Sequence, residues 1–223
     1  TQAGVTVITA LSLKVISTGT VTLANNNAAS NFAADLSTAA TTKNLTFNNT
    51  INLTVTTVGA ALGDGTLGVT LAQKSGIQTG GGTITVTNTG TLSVDQPVLS
   101  DAGTVAGGTI QLKASSDITT SLTGPITSSG TGANTAGGEI LIWSTGGNIT
   151  LGTAVSANGN GTASGALITI TTDAVAGSVQ VSAVSSTGGG GNAGSLVQIN
   201  SGTGGTTQAG VTVITALSLK VIS

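Results

Sequence analysis

The sequence predicts an all-β protein, a parallel (right-handed) β-helix or β-solenoid with three short strands per coil and about seven coils per 206 residues. Three observations support this fold class. The first 17 residues return unchanged at 207–223. Apolar and polar residues alternate with a period of two through most of the chain, as in strands. A finer repeat of about 29 residues recurs between the two copies, within the range that is typical of solenoids.

The duplicated segment, TQAGVTVITALSLKVIS, defines the long repeat. Its two copies start 206 residues apart, at positions 1 and 207, and seventeen consecutive identities do not arise by chance. A fixed period is a stronger signal of fold than local propensity. We therefore interpret 1–206 as one β-solenoid repeat unit and 207–223 as the start of the next, identical unit.

Each finer repeat begins with Gly or Asn, continues with a small or polar residue and then alternates aliphatic side chains. Gly and Asn tolerate the backbone conformations of tight corners. Seven such anchors predict seven coils. They are Gly19 (GTVTL), Asn49 (NTINL), Gly82 (GTITV), Gly108 (GTIQL), Gly138 (GEILI), Gly165 (GALITI) and Gly194 (GSLVQI).

Four consecutive repeats carry two further alternating runs, which predict a second and a third strand in each coil. The second runs begin at Gly90, Asp117, Gly147 and Gly177, and the third runs begin at Pro97, Pro125, Ala154 and Ala183. Proline is tolerated at the first residue of a strand, so it indicates a corner here. One side chain of each alternating pair points into a narrow core.

The rest of the chain is less regular. Residues 31–40 (NFAADLSTAA) are a weak helix candidate, 24–40 and 202–210 are predicted as long turns, and no second strand is assigned to the first coil. A Greek-key sandwich is the alternative fold because it also has many short strands. It does not predict anchors that recur in register.

The composition argues against several classes of function. Charged residues make up 5% of the chain, the formal net charge is −2, and there is no His or Cys. Such a chain has no positive field for nucleic acid and no imidazole or thiol for catalysis or metal binding. We expect no enzyme, no catalytic residue, no cofactor and no metal. The absence of a run of about 18 apolar residues predicts no transmembrane segment.

One stretch, GGEILIWSTGGNITLGTAVSANG at 137–159, resembles repeats of filamentous-haemagglutinin-like surface proteins and giant bacterial adhesins. The resemblance covers residues 82–223 well and 1–81 loosely. It implies an exported right-handed β-helix that forms a long stalk, filament or sheath. It also implies an extracellular or cell-surface location in a bacterium or archaeon.

The expected partner is the protein itself, head to tail. A β-helix cut across its axis exposes unpaired backbone groups that invite another coil, and this sequence shows no atypical capping repeat. The first hypothesis is therefore a structural subunit or repeat of an extracellular β-solenoid filament. The alternative is an adhesin stalk or binding module that recognises carbohydrate or a neighbouring cell. A third hypothesis is an ice- or surface-binding solenoid.

Two outer side chains are candidates for a lateral contact between fibres or for a ligand platform. If Ile140 and Ile142 point inward, then Leu141 and Trp143 point outward. The opposite parity, or a covering turn, would remove this surface. Ice binding would need a ladder of threonines along one face. The aligned positions Thr85, Gln111, Leu141 and Ile168 break that ladder.

Overall fold

The computed structural model describes residues 1–37, 42–59, 72–100, 106–190, 194–210 and 212–223. It confirms the predicted fold class, because all regular elements in these residues are strands and 21 of them belong to one parallel sheet that coils into a solenoid. None of these residues forms a helix that is long and apolar enough to cross a membrane.

The strands occupy three positions around each coil. First-position strands are Val21–Leu36, Leu45–Asn49, Ile84–Asn88, Ile110–Ala114, Ile140–Ser144, Ile168–Thr172, Leu196–Asn200 and Ser218–Ile222. Second-position strands are Leu53–Val55, Leu92–Val94, Ile118–Thr120, Ile149–Leu151, Val179–Val181 and Thr206–Gln208. Third-position strands are Ile77–Thr79, Val98–Leu99, Ile126–Thr127, Val155–Ser156, Val184–Ser186 and Ile214–Ala216.

Seven three-stranded coils run from residue 21 to residue 216. In the first of them, the long strand Val21–Leu36 takes all three positions, because its successive parts pair with three different strands of the second coil. The strand Thr9–Ile16 precedes this stack, and Ser218–Ile222 follows it. A separate antiparallel ribbon joins Thr57–Val58 to Lys74–Ser75.

The core is a column of aliphatic side chains in exact vertical register. Ile84, Ile110, Ile140 and Ile168 lie above one another in consecutive coils, and all four are buried. Burying one such side chain contributes about 1.5–3 kcal/mol. In the first two coils, Phe32 stacks on Phe47 at a centroid distance of 4.2 Å.

The glycine anchors mark corners where successive coils approach closely. A Cβ atom on Gly138 would lie 2.4 Å from the carbonyl oxygen of Gly108, and one on Gly108 would lie 2.5 Å from the carbonyl oxygen of Gly81. Buried hydroxyls bind the backbone beside these corners. Ser100 Oγ, for example, accepts the Gly108 N–H at 3.0 Å. Close packing therefore excludes larger residues here.

The predicted anchor at Asn49 is wrong. The structure places the first-position strand of this coil at Leu45–Asn49 (LTFNN), and Leu53–Val55 is its second-position strand. Asn49 ends the first strand at a buried corner. Its side-chain amide donates to Ile51 O at 2.7 Å and to Asn88 Oδ1 at 3.0 Å. The alternating NTINL run therefore begins at the end of a strand and continues past the corner.

The irregular stretches also differ from prediction. Strand Val21–Leu36 takes the place of residues 24–36 of the predicted turn at 24–40 and of residues 31–36 of the helix candidate, while residues 38–40 lie outside the described residues. The helix does not form because these backbone groups pair with neighbouring coils and bury Phe32 and Leu36. Strand Thr206–Gln208 likewise lies within the predicted turn at 202–210.

Candidate functional site

Of the two parities that the sequence left open for strand Ile140–Ser144, the structure has the one that places Leu141 and Trp143 outside. Ile140 and Ile142 point into the core with 1% and 0% exposure, while Leu141 and Trp143 lie on the outer face and are each half-buried. The side chains of the neighbouring coils lie beside Leu141 and Trp143 and account for their partial burial. The role of Leu141 and Trp143 in a lateral contact stays a prediction.

Trp143 is the centre of a polar cluster that links three coils. Lys113, its register partner in the preceding coil, places Nζ 3.8 Å from the centroid of the indole ring. The indole Nε1 donates a 2.8 Å hydrogen bond to Asp173 Oδ2 in the following coil. A cation over an exposed indole contributes about 0.5–1 kcal/mol. The cluster therefore holds the ring against the face of the solenoid.

Sequence reasoning missed Lys113 and Asp173 as members of this cluster. Lys113 could have been identified from the sequence, because the runs GTIQLK and GEILIW place Lys113 and Trp143 at the same position of successive first strands. Asp173 follows the end of strand Ile168–Thr172, and only the corner geometry brings its carboxylate to the indole. The alternation alone carries no signal for such a contact.

A cleft of about 250 Å³ lies beside this cluster on the same face. Its polar lining combines hydroxyl, amide and ammonium groups with the indole ring. The side chains that line its outer part are Thr85, Thr87, Gln111, Lys113, Leu141 and Trp143. Such a mixture fits a flat, hydroxyl-rich ligand or a second protein surface better than a small apolar molecule.

The threonine row on this face is broken, as predicted, but one of its members was misassigned. The residue in register with Leu141 is Thr169, and Ile168 is a core residue above Ile140. Ile168 comes three residues after Gly165, and its register partner Val197 comes three residues after Gly194, whereas Ile140 comes two residues after Gly138. Gln111 and Leu141 still interrupt the row, which disfavours ice binding.

The N-terminal copy of the duplicated segment packs on strand Val21–Leu36. Within this copy, Leu13 lies opposite Phe32 and Val15 lies opposite Ala34, and both apolar side chains pack against the core. The register is therefore fixed by side chains that point inward.

A polar contact fixes the beginning of the same copy. Gln2 Nε2 donates to Asn27 Oδ1 at 2.6 Å, and Asn27 Nδ2 donates to Gln2 Oε1 at 3.2 Å. The Ile8 N–H donates to the same Asn27 oxygen at 3.0 Å. The reciprocal amide pair selects glutamine at position 2, because no other neutral side chain of that length both donates and accepts there.

The C-terminal copy has the same residues in different coil positions. Ile214–Ala216 is a third-position strand on Val184–Ser186, and Ser218–Ile222 is a first-position strand on Leu196–Asn200. Leu219 and Val221, the counterparts of Leu13 and Val15, are 52% and 49% exposed. Gln208, the counterpart of Gln2, donates to Thr212 O of its own segment.

Exposed large apolar side chains concentrate in the two copies. Of the twelve such residues in the described parts of the chain, nine belong to residues 1–17 or 207–223. They are Val5, Val7, Leu11, Ile16, Val213, Leu217, Leu219, Val221 and Ile222. The other three, Ile51, Leu122 and Val175, lie apart along the chain. A concentration of exposed apolar surface indicates an interaction site.

One ion pair lies beside the N-terminal copy. Asp35, which is opposite Ile16, accepts hydrogen bonds from Lys74 Nζ and from Ser37. Burial acts to raise the pKa of Asp35, but the hydrogen bonds from Lys74 and Ser37 outweigh it and hold that pKa below its ordinary value of 3.8. The carboxylate is therefore charged at neutral pH and binds the ribbon to the coil.

The described residues bring together no group of three or more His, Cys, Asp or Glu side chains that could hold a metal ion. No protein-family model, curated protein or solved structure matches the chain.

Proposed function

We propose that this chain is a non-enzymatic structural unit of an extracellular β-solenoid filament, which grows by stacking coil on coil. The observation that carries the proposal is the concentration of exposed apolar side chains in the duplicated segment. Its first copy precedes the first coil, and its second copy supplies the last strand of the seventh coil and the strand that follows it. The resemblance of residues 137–159 to bacterial surface filaments supports the same assignment.

The physics of the stack favours lengthening. Each coil is stabilised by the coil before it and the coil after it, so stability is approximately additive along the axis. The described strand at either end of the stack has one edge without a strand partner, and such edges template further pairing. The net charge of −2 opposes association weakly, so salt has little influence on assembly.

Electron cryomicroscopy of assembled protein tests the proposal. Coils spaced by about 4.8 Å predict a layer line at that spacing and an axial repeat near 34 Å for seven coils. Mass measurement of the denatured filament then separates covalently continuous units from stacked chains. A monodisperse monomer under all assembly conditions, or filaments without the 4.8 Å layer line, would contradict the proposal.

A matched pair of variants localises the assembly surface. We expect Leu219→Lys to abolish filament growth, because a charge then lies in the exposed apolar end. Leu122→Lys is the control, since Leu122 is 85% exposed but lies outside both copies of the segment. Equal effects of the two substitutions would mean that the apolar ends do not drive assembly.

The cluster at Trp143 favours a second candidate function, an adhesive face for carbohydrate or for a neighbouring filament. Its indole, ammonium and amide groups line one cleft, and aromatic rings with adjacent polar groups are suited to binding sugars. Trp143 is the only tryptophan and the chain has no tyrosine, so its fluorescence reports this face directly. An emission shift on adding oligosaccharide, absent in Lys113→Ala, supports binding, and unchanged emission rejects it.

A further inference from the structure

The two copies of the duplicated segment have identical residues but different partners. Leu13 is opposite Phe32, whereas Leu219 is opposite Val197. We propose that strand Val21–Leu36 of a second copy of this chain binds residues 207–223 of the first. These residues take the register that the second copy's residues 1–17 occupy, and they displace those residues; this replacement is called exchange below. The inference deepens the proposed function, on which it rests, by naming the partner surface.

Sequence identity supplies the recognition. Every contact that residues 1–17 make with strand Val21–Leu36 is available to residues 207–223 of another chain. Leu219 would lie opposite the partner's Phe32, and Val221 opposite the partner's Ala34, as Leu13 and Val15 do now. Gln208 would form the reciprocal amide pair with the partner's Asn27 that Gln2 forms within one chain.

The present position of the C-terminal copy is the poorer of the two. It leaves Leu219 and Val221 about half exposed, whereas Leu13 and Val15 pack against the core. It also places Ile222 opposite Asn200, whose side-chain Oδ1 is buried without a hydrogen-bond partner. A buried unsatisfied acceptor is destabilising. Exchange removes Ile222 from this position.

Exchange also restores the long repeat. Within one chain, the register followed through seven coils leads from Val21 to its equivalent Leu219, which is 198 residues later. The duplicated segment, however, returns after 206 residues. In the exchanged arrangement, 217–219 and 221–223 become the second and third strands of the seventh coil. Residues 201–216 become its long turn.

The strand that starts at the second copy's Val21 then covers the seventh coil. It takes the first position above Leu196–Asn200, which Ser218–Ile222 occupies in the single chain. Val21 of the second copy is then the equivalent of a residue 206 positions after Val21 of the first. The stack therefore continues through the junction with the periodicity of the sequence.

Disulfide trapping tests the register, since the chain has no cysteine of its own. Ser12 lies opposite Asn31 on adjacent strands, so a cysteine pair at these positions satisfies the Cα separation that a disulfide needs. Ser218 is the duplicate of Ser12. We expect an equimolar mixture of full-length Ser218→Cys and Asn31→Cys proteins to form disulfide-linked pairs in most molecules on mild oxidation.

Three controls complete the experiment. The double variant Ser12→Cys/Asn31→Cys should close within one chain, which verifies the geometry. Leu196→Cys/Ser218→Cys should close within one chain only while the segment is unexchanged, because these residues are opposite each other in the single chain. Thr54→Cys replaces Asn31→Cys as the off-register control, since Thr54 lies one coil further along the stack.

A functional measurement uses the same cysteines. Oxidised Ser12→Cys/Asn31→Cys protein cannot release its own residues 1–17, so we expect it to add to filament ends at least tenfold more slowly than the reduced protein. Reduction should restore the rate. An unchanged rate would overturn the exchange.

The outcomes separate this inference from the proposed function. Filaments that form without the Ser218–Asn31 disulfide overturn the exchange and leave the filament intact. Disulfide-linked pairs that never grow into filaments support the exchange and overturn the filament. If neither disulfide-linked pairs nor filaments form, the exchange and the proposed function are both overturned.

Discussion

The middle coils and the two copies of the duplicated segment have similar sequences but different burial. Ile140 and Leu219 occupy equivalent register positions, yet Ile140 is 1% exposed and Leu219 is 52% exposed. Ile140 has a coil on each side, with Ile110 beneath it and Ile168 above it, whereas Leu219 has only Val197. In this fold, burial is therefore conferred by the neighbouring coil and cannot be assigned from the segment itself.

Paired truncations at equivalent register positions give the largest expected difference between these regions. We expect Ile140→Ala to lower the free energy of unfolding by about 2–5 kcal/mol, since it leaves a cavity between two coils. Leu219→Ala should lower it by less than about 1 kcal/mol, because the removed atoms are already half in solvent. Urea unfolding of the monomer measures both values. Equal losses would show that the end coil is as well packed as the middle.

Paired glycine substitutions test whether close approach between coils is what the anchors require. Gly138→Ala should destabilise the protein by about 1–3 kcal/mol, because the new methyl group has no space beside Gly108. Gly19→Ala should remain within about 0.5 kcal/mol, since only Ser17 Oγ at 3.8 Å is near its Cβ position. Thermal unfolding compares them. Tolerance of Gly138→Ala would mean that the coils can separate at that corner.

Acidification should have the smallest effect on stability and should act only at the N-terminal end of the stack. The folded pKa of Asp35 is lower than its unfolded value, so its ion pair with Lys74 stabilises the protein above about pH 4 and is lost as the pH falls through the folded pKa. The loss is on the order of 1 kcal/mol, since Lys74 is partly exposed.

Amide hydrogen exchange locates that loss. Residues 9–16, which pair beside Asp35, should lose protection as the pH falls below about 4, while residues 140–144 should not. The variant Asp35→Asn is the control, because it removes the titrating group and with it the difference between the two regions. Uniform loss of protection along the stack would contradict the assignment to Asp35.

The sequence alone predicts the regular part of the fold well. In the four repeats between Gly82 and residue 192, the anchors and the two following runs coincide with observed strands, because each of these coils repeats a corner glycine and alternating aliphatic residues. The alternation left two parities open for Ile140 and Ile142, and the structure has both residues in the core. Where a local pattern and the neighbouring coil agree, alternation is sufficient.

The first two coils could not be predicted in this way. Asn49 resembles an anchor, but its buried amide completes a corner with Asn88, a contact 39 residues away. Residues 24–36 lack β-branched side chains and are held as a strand by partners on both sides. The Trp143 cluster was not predicted, because Asp173 comes from the next coil. In each case, the deciding contact lies in another coil.

The uniform register of the core column also bears on how such proteins change over generations. Ile110, Ile140 and Ile168 share one core position, so in-frame loss of residues 140–167 would bring Ile110 beneath Ile168 and keep an isoleucine contact there. Duplication of the same stretch would add one coil with the same core residue at this position. Recombination can therefore change the length of the solenoid by one coil at a time without disturbing this core column.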